Sequence, residues 1–231
     1  MAVECNICHS REFRDMGIRK NILCSGCGSY ERTRIMKLEL DRYGLNKEMS
    51  VLHIAPEYGL YKYIKEKTDN YVCADIDLER YSHISNIKYI DLCNPETVSG
   101  MGKFDLIIHS HVIEHIPCNY TMSLINLHNL LNRNGTHMFC VPIYGSHFEE
   151  DLGPISENEK TRRFGQFDHC RRFSPHDLER TLGKIFKIDQ DYDLTTRFPE
   201  GELHKANIPQ EYWKKYSGSS VFMIGKGDIL I

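Results

Sequence analysis

From Ser50 onward the chain alternates short apolar runs with longer stretches of helical periodicity. Val51–Ile54, Tyr71–Ala74, Tyr89–Leu92, Phe104–Ile108 and Thr136–Val141 have the length and the mostly apolar makeup of buried strands. Between them, Leu60–Lys67 and Tyr120–Leu131 repeat apolar residues at helical spacing, the second closed by a turn at Asn132–Gly135. Strand and helix in alternation predict a parallel sheet with helices on both faces. Residues 185–192 and 219–226 add two further β-like runs, expected to be antiparallel, for seven strands in all. Upstream, Ile35, Met36, Leu38, Leu40 and Tyr43 form an apolar stripe that stops at Gly44, which predicts a linking helix within residues 31–48. Pro142 ends the fifth strand. Residues 143–173 then show no clear period and are too long for a simple connection, the usual mark of a functional loop. Ser174-Pro175-His176-Asp177 opens a helix, with Ser as N-cap and Pro at the first helical position.

The first 30 residues lack such a pattern. They are polar and hold four of the nine cysteines, as the pairs Cys5/Cys8 and Cys24/Cys27. Two Cys-x-x-Cys turns at this distance match a tetrahedral four-thiolate zinc site. Gly26 and Gly28 beside Cys27 provide the permissive backbone of a knuckle. About 30 residues cannot bury a core alone, so the ion would supply the folding energy of a ribbon over residues 1–30. A closed set of four thiolates leaves no open position, so the site is structural. His9 is a weaker ligand candidate.

The charge balance, 29 Lys and Arg against 32 Asp and Glu, gives −3 over 231 residues, and 41% of residues are hydrophobic. That suits one large domain (49–231) plus the small module, and excludes a disordered or collagen-like chain. It argues against wholesale coating of nucleic acid. No apolar run approaches the ~18–20 residues of a bilayer span, and MAVECNICHS has no signal-like layout, so a cytoplasmic chain with reduced cysteines is expected. Cys73, Cys93 and Cys140 fall in or beside strands and should pack as small apolar residues, while Cys118 and Cys170 flank the expected site.

Ligands of parallel α/β sheets bind beyond the carboxyl ends of the strands. There the sequence reads Ala55-Pro56-Glu57-Tyr58-Gly59, then Asp75-Ile76-Asp77, Asp91-Leu92, and His109 to Pro117. An acid about 20 residues after the first loop can accept from two ribose hydroxyls. The ordered set VLHIAPEYGL, CADID, YIDLCN, FDLIIHSHVIEHIP and LLNRNGTHMFCVP resembles the nucleotide-binding core of class I S-adenosylmethionine-dependent methyltransferases of the type 11 kind, over Ser50 to Pro142. The ribbon with its SYERTR tail, and FGQFDHCRRFSPHDLERTL, resemble a bacterial and viral subgroup with an N-terminal zinc ribbon, encoded near polysaccharide genes. The resemblance implies a Rossmann-like fold that binds S-adenosylmethionine. Ala55, Glu57 and Gly59 would line the methionine end. Asp75 would hold the ribose, Ile76 would pack on the adenine, Asp91 and Leu92 would bracket the adenine edge, and Ser110 would approach the sulfonium. The family's E/D-x-G-x-G-x-G loop is reduced to HIAPEYG, which puts the methionine-carboxylate contact in doubt.

His111, Glu114 and His115 form H-x-x-E-H, also the spacing of inverted zinc proteases. The protease reading fails because the string follows a buried strand and shows no third ligand downstream. Some ubiquinone-pathway O-methyltransferases carry E-x-x-E-H here and bind a divalent cation. Three readings stand: a cation near His111, Glu114 and His115, a hydrogen-bonded loop, or His111 as general base. From Lys160 to Phe173, Lys160, Arg162, Arg163, Arg171 and Arg172 stand with Gln166 and His169 among Phe164, Phe167 and Phe173, against one acid, Asp168. Arg163, Gln166, Arg171 and Arg172 are the acceptor-binding candidates. Histidine needs no perturbation to serve as base near neutral pH, so His169, oriented by Asp168, is the first catalytic candidate and His111 the second. Arg32 and Arg34 belong either to a solvated helix face or to an anion contact at the seam between modules. Thr195–Tyr216, with Trp213, is either a lid over the acceptor or a surface loop. The leading expectation is an O-methyltransferase acting on a sugar hydroxyl of a glycan or glycan precursor. The alternatives are a nucleic-acid methyltransferase gripping RNA or DNA with the ribbon, against which no N/D-P-P-Y/F motif follows the fourth strand, and a non-catalytic cofactor-binding scaffold.

Overall fold

The computed structural model describes residues 2–230. Its centre is a six-stranded sheet of β3 (Ser50–Ile54), β4 (Asn70–Asp75), β5 (Lys88–Tyr89), β6 (Phe104–Ser110), β7 (Leu131–Cys140) and β10 (Phe222–Gly225), ordered β10-β7-β6-β3-β4-β5. β3 to β7 are parallel and β10 runs antiparallel against β7. Helices α2 (Tyr58–Lys67), α3 (Pro95–Ser99) and α4 (Tyr120–Asn129) connect the strands. β3 and β6 are buried through nearly their whole length, as strands covered on both faces must be. One core gathers Leu52, Ile107, Leu124 and Phe139, and the other gathers Val51, Leu60, Leu106 and Ile108 with Ile35 and Leu38 of α1 (Glu31–Tyr43). Gly44 closes α1 with φ +78° and its N–H on Leu40 O, the left-handed stop that glycine adopts without steric cost. No described helix is long and apolar enough to cross a membrane.

Three expectations from the sequence change. Among the described residues the central sheet has six strands, not seven, because residues 185–192 form only the isolated bridge Phe186–Ile229. Ile185 and Phe186 bury, but the polar residues that follow them in KIDQDY give no face to a ladder. Asn132–Gly135 is not a turn but the start of β7, with a register shift against β6. A Cβ on Gly135 would lie 3.0 Å from Phe104 O, so glycine serves close strand approach here. Ser174 does cap, accepting from the His176 N–H, but only over the short 3-10 turn Pro175–Asp177.

The N-terminal hairpin, β1 (Phe13–Met16) with β2 (Arg19–Cys24), folds onto α1 and the loop after α6 (Glu200–Lys205). Residues 143–173 are not loose. They contain α5 (Glu157–Phe164) and the antiparallel pair β8 (Glu149–Glu150) and β9 (Arg171–Arg172). Trp213 is 1% exposed and donates to Ile208 O, which makes residues 195–216 a packed segment rather than a lid over the acceptor.

Candidate cofactor and acceptor site

Parallel strands deliver their carboxyl ends to one edge, and there β3, β4, β5 and β6 open onto a cavity of about 1010 Å³. Ala55, Glu57, Asp75, Ile76, Asp91, Leu92 and Ser110 all line it. So do His111, Glu114, His115, Gln166, Asp168 and His169. Two residues that leave strands at this edge, Ala55 (φ +51°) and His111 (φ +54°), hold a left-handed backbone without being glycine. Such strain clusters at binding sites, where the surrounding fold enforces it.

The β4 end carries Asp75. Its Oδ1 accepts from the Asp77 N–H at 2.8 Å, leaving Oδ2 for a ligand. Burial holds its carboxyl above its ordinary value. Beside it, Ile76 is 60% exposed, an apolar surface at the rim of the cavity that a flat ring can cover. Asp91 Oδ1 is occupied by the Cys93 N–H at 2.9 Å. An acid, an exposed isoleucine and a second acid on successive strand ends suit the ribose and adenine of a nucleoside.

Gly59 does not reach the cavity. A Cβ there would meet Ile7 Cγ2 at 3.1 Å and Cys27 Sγ at 3.5 Å, so the residue is small because the cysteine module packs on it. The sequence also missed that this module enters the site: Met16, Arg19 and Tyr30 line the cavity, together with Arg32 of α1. The SYERTR segment carried that signal, and it divides: Arg32 points to the cavity while Arg34 is wholly buried.

The four cysteines converge, every Sγ within 4.8 Å of the others, with Cys5–Cys27 at 3.6 Å and Cys8–Cys24 at 3.5 Å. Four bonds of ~2.3 Å in a tetrahedron put sulfurs ~3.8 Å apart, so the donor set fits one ion. Gly26 is needed because a Cβ would press Cys8 Sγ at 3.0 Å. Elsewhere the expectation of reduced cysteines is corrected. Cys93 and Cys118 are disulfide-bonded, their Cα atoms 5.7 Å apart, because the loops after β5 and β6 meet beside the cavity. Cys170 is buried and its Sγ faces His115 O at 3.8 Å.

The H-x-x-E-H string and the insertion meet across the cavity. Glu114 is fully buried. Burial opposes its charge, but His111 and His115 outweigh burial and hold the carboxyl below its ordinary value. His111 Nδ1 lies 2.9 Å from Glu114 Oε1 and its Nε2 donates to Gly218 O at 2.7 Å. With Nε2 committed to Gly218 O and Nδ1 turned toward the Glu114 carboxylate, His111 is not placed as a free base. Asp168 pairs with His115, Oδ2 to Nδ1 at 3.1 Å, and not with His169. His169 is instead oriented by the carbonyl of Phe164, 2.9 Å from Nδ1. The two rings meet edge to face with centroids 4.6 Å apart. Each has Nδ1 turned to an acceptor, which leaves the Nε2 lone pair available. One donor atom each from Glu114, His115 and His169 lie within 4.8 Å of one another, and Glu114 Oε2 has no hydrogen-bond partner among the described residues. His169 is thus the downstream partner that the sequence string lacked. The trio has the makeup of a proton-accepting site or of a two-histidine, one-carboxylate cation site.

The three arginines proposed for the acceptor do not line the cavity. Arg163 pairs with Glu149 and Asp151, Arg171 with Glu150, and Arg172 with Glu149. Arg171 also donates to Ile113 O and Cys118 O and is 0% exposed. The acids that neutralise them lie at 149–151, before the basic run that suggested an anion-binding surface. Gln166 alone of the four candidates lines the cavity.

No curated protein sequence matches the chain. Among solved structures, a Burkholderia thailandensis 1,6-didemethyltoxoflavin-N1-methyltransferase with bound 1,6-didemethyltoxoflavin and S-adenosylhomocysteine is 14% identical, with TM-score 0.53, over 86% of this chain and 79% of that one. The CurJ carbon methyltransferase is 20% identical with TM-score 0.37, over 50% of this chain and 34% of that one. Coclaurine N-methyltransferase, bound to N-methylheliamine and S-adenosylhomocysteine, is 14% identical with TM-score 0.47, over 78% of this chain and 56% of that one. The chain therefore spans little more than half, or less, of the last two. At 14% identity the likeness to the Burkholderia enzyme shows the Rossmann-like α/β fold alone. A family model described as a methyltransferase domain matches residues 29–185, most of the chain. With that match, the chain belongs to the class I S-adenosylmethionine-dependent methyltransferases.

Proposed function

We propose that the chain is an O-methyltransferase whose acceptor is a neutral hydroxyl, with a sugar of a glycan or glycan precursor as the substrate class. The observation that carries this reading is His169: its Nδ1 is held by Phe164 O and its Nε2 is available in the cavity that the strand ends line. Burial lowers its pKa below the ordinary value, so the ring is neutral and able to take a hydroxyl proton at neutral pH. The cofactor, when bound, supplies an activated methyl group on a sulfonium. The protein's work is to bind, align and remove the proton. Gln166 and Asp168 beside Tyr144 and Phe164 offer planar polar groups next to aromatic faces, a lining suited to a sugar. Since Arg163, Arg171 and Arg172 are spent on carboxylates, nothing in the insertion favours a highly charged acceptor. The test is methyl transfer from labelled cofactor to a panel of neutral glycans, nucleotide sugars and RNA. Labelling of RNA alone would replace this reading with the nucleic-acid one.

Cys5, Cys8, Cys24 and Cys27 would hold structural Zn²⁺. Asp75 would hold the ribose hydroxyls, Ile76, Asp91 and Leu92 the adenine, and Ala55, Glu57 and Ser110 the methionine side. Asp75→Ala removes a buried charged acceptor worth roughly 1.5–3 kcal/mol per hydrogen bond, so calorimetry should find S-adenosylhomocysteine bound about 10–100-fold more weakly. Unchanged affinity would mean that the cofactor does not lie along β4. A second use of the trio, a divalent cation on Glu114, His115 and His169 rather than on His111, is favoured by the unpartnered Glu114 Oε2.

A further inference from the structure

Building on the cofactor site above, we propose that Arg32 and Glu57 form the receptor for the amino-acid end of the cofactor, Arg32 taking the α-carboxylate and Glu57 the α-ammonium. The loop after β3 is poorly equipped to hold a carboxylate. Ala55 spends its N–H on Ala74 O at 3.0 Å, Pro56 has none, and Glu57 adds negative charge. The uncapped N–H groups in the first turn of α2 offer only partial positive charge, and the first turn of α1 adds a full cation beside them. The Arg32 guanidinium lies 4.5 Å from the centre of the Tyr30 ring, Nε donates to Ser110 Oγ at 3.3 Å, and one terminal nitrogen is 3.5 Å from Glu57 Oε1. Ring and hydroxyl fix the guanidinium between the ends of β3 and β6.

The pairing with Glu57 is loose. Glu57 Oε2 is buried and has no hydrogen-bond partner among the described residues. A cation and an anion side by side, each incompletely satisfied, match the zwitterion of an α-amino acid, which presents a carboxylate to one and an ammonium to the other. Arg19 also lines the cavity but is committed to Glu31 at 2.6 Å, and Arg80 lines it beside Asp77 after β4, so Arg32 is the arginine at the ends of β3 and β6. A residue contributed from outside the sheet thus stands in for the amides of a glycine-rich loop.

The test compares S-adenosylhomocysteine with 5′-methylthioadenosine, which keeps the adenosine and thioether but lacks the amino-acid end. By calorimetry on the full zinc-loaded chain, Arg32→Gln and Glu57→Gln should each weaken S-adenosylhomocysteine about tenfold or more and leave 5′-methylthioadenosine within about twofold. Arg32→Lys should recover part of the loss, since the ammonium keeps the charge but not the forked donors. Equal losses for both ligands, or no loss for either, would overturn the assignment. If the unaltered chain binds neither ligand, the cofactor reading itself falls and takes this one with it.

Discussion

Arg34→Met should cost the protein about 3–5 kcal/mol, because several buried carbonyls lose their donor at roughly 1–3 kcal/mol each. Arg34 is 0% exposed and no carboxylate lies within ion-pair distance of it among the described residues. Its guanidinium donates instead to backbone carbonyls: Ile22 O at 3.1 Å from both terminal nitrogens, Ser29 O at 2.8 Å, Ala206 O at 2.8 Å and Asn207 O at 2.8 Å. These belong to β2, to the segment leaving the cysteine module, and to the loop after α6. One side chain therefore joins three stretches of chain that secondary structure does not connect. Methionine fills much of the volume but donates nothing: Ser29 O keeps the Cys24 N–H, while Ile22 O, Ala206 O and the part-buried Asn207 O lose this donor, at roughly 1–3 kcal/mol for each one left buried and unpaired. Against a total stability of about 5–15 kcal/mol this is severe. Urea unfolding should show a lower midpoint at unchanged slope. The Arg34→Lys variant should recover little, since three donors on one nitrogen cannot span four carbonyls. A loss under about 1 kcal/mol for Arg34→Met would show that the three segments hold together without it.

Arg32 and Arg34 also show where reading the sequence runs out. They sit two positions apart at the start of one helix, so they point to different sides, and nothing local says which side is the cavity. The sheet was legible because fully buried parallel strands are continuous apolar runs, as in Phe104–Ile108, and because their carboxyl ends share an edge, which placed Asp75, Asp91 and Ser110 together before any contact was known. Side-chain partners were not legible. Arg171 and Arg172 looked like an acceptor surface because Glu149 and Glu150 lie some twenty positions earlier and are joined to them only by the β8–β9 ladder. His115 and His169 meet only when the insertion folds back over the strand ends. The Cys93–Cys118 bond likewise depends on two loops that converge across the sheet. Gly59 was assigned to the cofactor because a family motif has glycine there, whereas Ile7 and Cys27 explain it by packing.

His169→Ala should lower kcat by about 10²- to 10⁴-fold, the range for loss of a positioned general base, while S-adenosylhomocysteine affinity stays within about twofold. The separation follows from position: His169 enters from the insertion, whereas Asp75, Asp91 and Glu57 follow the strands. His169→Gln keeps a donor for Phe164 O and much of the packing, so an equal loss of kcat in that variant assigns the effect to the missing ring nitrogen and not to a collapsed insertion. The pH profile gives an independent check. Burial depresses the pKa of His169 below its ordinary value near 6.5, so the working, neutral form predominates at neutral pH and is lost as pH falls through the depressed value. The rate of the unaltered chain should therefore be flat near neutrality and fall on the acid side, and the residual rate of His169→Gln should lack that limb. If Mg²⁺ or Mn²⁺ must be added for turnover, and if His169→Gln, His115→Gln and Glu114→Gln all abolish that dependence, the trio holds a cation and His169 is a ligand rather than the base. A dependence on His169 that ignores both metal and the His115 and Glu114 changes leaves it as the base. An unaltered kcat in His169→Ala would remove it from the reaction, and the proton of the acceptor would then have to leave to solvent.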